Sequence, residues 1–233
     1  AREHIMSLLR DMRDVRAIPA YKEALKWRAE VSEPQAVAAA TALQNIEIPA
    51  DKKAELVQAL TDSLDQVTGS RGVDNQMRIA FIRTLGTMHD PAATAALVTV
   101  ATRQSQDQSF LINLLAYEQL AAMGDPTAIP AYVKALYLFD PTAPQRRAND
   151  LGELGLVNVG RASFQPLVDT LSGQNNDANT IATAYLGAVQ QANPAAAQQM
   201  SVQMIVNNEA GHALGELGLR DAIPTLVTES RFT

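Results

Sequence analysis

Three histidines, His4, His89 and His212, and two glutamates, Glu153 and Glu216, are the side chains in this 233-residue chain best suited to metal binding or acid–base chemistry. A metal centre needs several ligands converging on one point, and the sequence has no His-x-x-x-His pair and no carboxylate-rich loop. Zero cysteines removes disulfides, thiolate ligands and cysteine nucleophiles. Asp177-Ala178-Asn179 opens like a calcium loop but lacks the glycine and the terminal glutamate such a loop requires, so it reads as a helix cap. Gly69-Ser70-Arg71-Gly72 is too short to cradle a phosphate and is followed by no Lys-Ser or Lys-Thr pair. Glu153 and Glu216 sit in identical hexapeptides, Leu-Gly-Glu-Leu-Gly-Leu at 151–156 and 214–219. Paired carboxylates hydrolyse a bond only across one cleft. Copies two repeats apart in a stacked array are expected far from each other. The expectation is no catalytic, cofactor or metal site, and no enzyme.

The elements that would position these residues come from internal repetition. Asp14-Val15-Arg16-Ala17-Ile18-Pro19-Ala20-Tyr21 matches Asp125-Pro126-Thr127-Ala128-Ile129-Pro130-Ala131-Tyr132 at six of eight places, and Ala222-Ile223-Pro224 is a shorter third copy. Asp90-Pro91 and Asn193-Pro194 repeat the opening. Successive copies recur at about 35 residues, the length of a paired-helix repeat. Asp or Asn before Pro marks a helix start, because the side-chain oxygen takes up free N–H groups and Pro is pre-set for the first turn. Gly124 suits the exit of the preceding helix. Pro19, Pro130 and Pro224 fall in the first turn of second helices, where little hydrogen bonding is lost. Ile129, Val133 and Leu136, and again Phe164, Val168 and Leu171, have helical spacing along one apolar stripe.

These intervals predict seven helix pairs, over residues 1–31, 32–68, 74–104, 107–140, 144–173, 176–206 and 207–231, forming one domain over 1–233. Polar connections are expected at 69–75, 105–109, 140–150 and 172–177. The short last interval predicts a trimmed helix, or missing residues, near 207–218. Turns of the type Ala-x-x-x-Leu-Gly followed by Asp-Pro-x-Ala-Ile-Pro-Ala, seen best from Ala116 to Leu136 and from Ala213 to Val227, resemble the HEAT family. That family includes the bacterial HEAT-like repeats found in phycobilisome lyases. The resemblance implies an all-α fold, a right-handed α-α superhelix whose second helices line a concave face that grips proteins, peptides or occasionally nucleic acid.

The function expected is therefore a non-catalytic scaffold or adaptor with no cofactor, binding another protein through its second helices. The alternatives are a phycobilisome-lyase-like protein and a nucleic-acid binder. A net charge of −6 gives no global attraction to nucleic acid. The basic residues of the first thirty positions are interleaved with acids, as on a solvated helix. Counting outward from the repeated apolar residue of each second helix selects Glu23, Trp27, Arg103, Lys134, Leu138 and Asp169 as protein-contact candidates. Trp27 is the one tryptophan and would anchor a partner if exposed, or equally cap the end of the array. No apolar run reaches the roughly 20 residues of a membrane span. The chain opens at Ala1 without a leader, which fits an anchored or exported protein as well as a cytoplasmic one, with a slight lean to export and the periplasm.

Overall fold

The structure is a computed structural model, and it describes residues 8, 11, 14–26, 32–104 and 108–229. His4 and Trp27 lie outside the described residues. The fold is mostly helical. The helices are α1 (Ile18–Leu25), α2 (Glu33–Leu43), α3 (Ala50–Asp65), α4 (Gly72–Met88), α5 (Pro91–Thr102), α6 (Phe110–Met123), α7 (Ile129–Ala135), α8 (Asn149–Val159), α9 (Phe164–Leu171), α10 (Asn176–Ala192), α11 (Pro194–Ala197), α12 (Val202–Glu216) and α13 (Ile223–Glu229). Two strands, β1 (Phe139–Asp140) and β2 (Ala143–Arg147), pair antiparallel between α7 and α8.

Helix starts follow local chemistry. The Asp14, Asp90 and Asp125 carboxylates accept from Arg16, Ala92 and Thr127 N–H at 2.8, 2.9 and 2.9 Å, and Asn193 accepts from Ala196 N–H at 3.2 Å. Three-residue 3-10 turns at Val15–Ala17, Pro126–Ala128 and Arg220–Ala222 lead directly into α1, α7 and α13. Pro19, Pro130 and Pro224 are the second residues of those helices, where no intrahelical N–H bond is forfeited. Gly124 and Gly218 each leave a helix at φ 63°. His89 fills the equivalent place after α4 at φ 47°, a conformation that costs a side-chain-bearing residue energy.

The chain divides into two compact units, Ala1–Met123 and Gly124–Thr233, and the division falls inside the expected 107–140 repeat. In the first unit α2, α4 and α6 pack in chain order as one layer, and α1, α3 and α5 pack in chain order as a second. Leu43, Leu56, Leu60, Met77, Phe81, Ile82, Leu85 and Leu120 are almost fully buried between them. Each such side chain contributes about 1.5–3 kcal/mol of apolar burial. The connections are tied down by the helix that follows. Buried Arg78 donates to the Val67 and Gly69 carbonyls at 2.7 and 2.6 Å, and Asn113 donates to those of Ala101 and Arg103 at 2.9 and 2.7 Å.

The second unit keeps the local motifs but packs in a different order. α7 lies against α8, where Gly152 and Gly155 leave a flat helix face: a Cβ on Gly152 would stand 2.7 Å from the Tyr132 carbonyl oxygen, and one on Gly155 would strike the Tyr132 ring. α9 then packs chiefly on α12, and α12 also touches α8, while α10 lies to the side against α12, α7 and β2, with α11 packed on α10. The trimmed helix is α11 (Pro194–Ala197), whereas α12 is full length and runs through the expected boundary at 206/207. The expected polar connection at 140–150 holds the hairpin. Asp140 accepts from Thr142 N–H and Oγ at 2.9 and 2.7 Å, closing its turn.

Candidate functional site

A helix that is not fully packed leaves space beside it. α10 completely buries only Ala178 and Ala182, because the α9 surface against which it would be expected to lie is taken by α12. α12 packs on α9 and buries Ile205, Val206, Ala210, Ala213 and Leu214, and Tyr137 donates to the Val206 carbonyl at 3.1 Å. The result is a cleft of about 660 Å³ in the second unit. Leu171, Met200, Met204, Ile205 and Leu226 supply its apolar lining, and Met204 is half exposed.

The polar lining of the cleft comes from β2, α10 and α12, and Glu153 of α8 lies just outside it against His212. Arg147 Nη1 donates to Glu209 Oε1 at 2.9 Å and Nη2 donates to the Leu136 carbonyl at 2.8 Å. Its guanidinium stands 4.9 Å from the centroid of the Tyr185 ring, which meets Phe139 edge-on at 5.3 Å. The Arg147–Glu209 pair is 18% and 14% exposed, so it is largely withdrawn from water. Farther along α12, His212 Nδ1 lies 2.6 Å from Glu153 Oε2, and the ligand-type atoms of Glu153, His212 and Glu216 are all within 4.8 Å of one another. The hydrogen bond and negative charge of Glu153, with smaller contributions from Glu216 and Glu209, hold the His212 pKa above its ordinary value.

This meeting corrects the expectation that Glu153 and Glu216 lie far apart. Two causes act together. α12 packs directly on α8 without α10 between them, and the two hexapeptides are out of structural register. Residues 151–156 lie inside α8, whereas 214–219 run over the end of α12 to the left-handed Gly218. Measured from the helix starts at Phe164 and Ile223, the counterpart of Glu153 is His212.

The outward candidates fare unevenly. Glu23 is exposed and pairs with Lys26, and Arg103 is exposed at the end of α5. Lys134 is part-exposed and pairs with Asp177 at 2.8 Å, and Asp169 is part-buried and accepts from Gln165 Nε2 at 2.7 Å. Leu138 does not project outward. α7 ends at Ala135, the chain turns toward β1, and Leu138 is 3% exposed with its carbonyl accepting from Ala148 N–H at 3.0 Å. Sequence reasoning missed Arg147, Tyr185, Met200, Met204 and Glu209. Phe139 and Arg147 flanking an Asp-Pro-Thr turn was the local signal available for the hairpin; the cleft itself has none, since it depends on which helix packs on which. No protein-family model matches the chain, and no curated protein matches it. Among the described residues no helix is long and apolar enough to cross a membrane.

Proposed function

We propose that this chain is a HEAT-like helical-repeat protein, a right-handed α-α superhelix in type, that works as a non-catalytic adaptor holding a segment of another protein. Ordered two-layer packing in the first unit and the recurring 3-10 turn before α1, α7 and α13 support the repeat reading. The observation that carries the binding reading is the cleft beside α12. Its volume of about 660 Å³ takes several side chains, and its lining by Met200 and Met204 suits a partner surface, because the flexible thioether side chain adapts to varied shapes. The partner sits in the second unit's cleft on this reading, so the second-helix residues Glu23 and Arg103 of the first unit, and Lys134 and Asp169 of the second, are secondary to it.

The test is affinity capture from the native source with wild type and with Met204→Asp, compared by mass spectrometry. Met204 is exposed, so the charge should leave folding intact while opposing apolar docking. A protein retained by wild type and lost with Met204→Asp is expected. Identical recovery by both proteins would exclude the cleft as the docking site.

A further inference from the structure

The cleft's apolar lining runs along α12 as far as Leu171 and Leu226, which stand beside Gly211, and a cluster of two carboxylates with His212 lies at and just beyond its edge. Met204 and Ile205 line it near the helix N-terminus, Glu209 and His212 line it farther along, and Glu216 follows one turn after His212 on the same stripe. From Met204 to Glu216 the helix rises roughly 18 Å, the length of about twelve helical or about five extended residues of a bound segment.

The charges at the far end are unbalanced. Arg147 is engaged with Glu209 and the Leu136 carbonyl. Glu153 bonds His212, Glu216 lies within 4.8 Å of both, and among the described residues neither carboxylate pairs with a lysine or arginine. α12 has no basic residue in its last turn, so the negative pole of its macrodipole adds to these carboxylates. A negative patch at the end of an apolar trough is complementary to a segment with apolar anchors followed by a cation.

Resting on the adaptor reading above, we propose that the occupant is an amphipathic segment of a partner protein that sets apolar side chains on Met204, Ile205, Leu171 and Leu226 and brings a lysine or arginine to Glu153 and Glu216. The cation completes a cluster that is left acidic in the free protein. The apolar trough supplies most of the binding, and the carboxylates supply the choice between segments of opposite charge.

The experiment uses the full chain and two synthetic amphipathic helical peptides of equal length, one of leucine and lysine and one of leucine and glutamate, read by fluorescence anisotropy. The lysine peptide should bind about tenfold more tightly than the glutamate peptide, and Glu153→Gln with Glu216→Gln should remove most of that difference. Asp62→Asn with Asp65→Asn, in α3 of the first unit, should leave it unchanged and so controls for the overall negative charge. Both double variants should keep the wild-type thermal unfolding curve. Equal binding of the two peptides, each weakened by Met204→Asp, would overturn the charge inference and leave the adaptor reading standing. Failure of both peptides to bind would count against the adaptor reading itself. Tight binding of Zn²⁺ alone to the free protein, lost with Glu153→Gln, would overturn the inference in favour of a metal centre.

Discussion

In the first unit each helix packs on the next helix of its own layer, whereas in the second α12 takes the surface on α9 that chain order would assign to α10. Both units use the same capped turns, so local sequence does not separate them. The difference arises in the interfaces. A regular layer buries its large apolar side chains, as at Phe81 and Leu85, while a helix denied its place keeps part of its apolar surface uncovered, as at Tyr185 beside the cleft. The cleft lies where the packing order of the first unit is not repeated.

The strongest challenge to this comparison is Gly152→Ala. Its Cβ would press on the backbone of α7, which cannot step aside as a flexible side chain would, so destabilisation of about 3 kcal/mol is expected, confined to the second unit. Chemical denaturation monitored by hydrogen exchange of each unit would read it. The first unit is probed by Arg78→Met, which leaves the Val67 and Gly69 carbonyls without their buried donor while Asp74 keeps its pairing with Arg71. A loss of about 2–3 kcal/mol is expected there, with the second unit unaffected.

Smaller effects sharpen the contrast between the twin hexapeptides. A Cβ at Gly215, the sequence counterpart of Gly152, meets nothing within 4 Å, so Gly215→Ala should stabilise by about 0.5–1 kcal/mol through helix propensity. Opposite signs at two identical sequence positions, measured by thermal unfolding, would establish that the copies differ in register. The least effect is expected from the His212–Glu153 contact, which is mostly solvent-exposed. Because the folded pKa of His212 is raised, the contact's stabilisation is fully present below the ordinary histidine value and is lost as pH rises through the raised one. An NMR titration of His212 should show the raised value, and Glu153→Gln should return it toward normal.

What was legible in the sequence is what local chemistry decides. Asp14, Asp90, Asp125 and Asn193 cap helices because their side chains reach N–H groups two or three residues on, whatever the rest of the chain does. The cleft was not legible, because Arg147 and Glu209 come from distant segments joined by the choice of α12 over α10 as neighbour to α9. The hexapeptide identity misled for a related reason. Leu-Gly-Glu-Leu-Gly-Leu fits a helix interior and a helix exit equally well, and its place relative to the following turn differs between the copies. Leu138 was misplaced because the count assumed a helix that in fact ends at Ala135.

The hairpin of β1 and β2 joins α7 to α8. Its Phe139 and Arg147 stand against the Tyr185 ring of α10, and β2 itself packs on that helix. Arg147 and Tyr185 both line the cleft, so the hairpin forms part of its wall. A change in the hairpin would therefore reshape that wall of the cleft from the surface, leaving the helix interfaces of the core as they are.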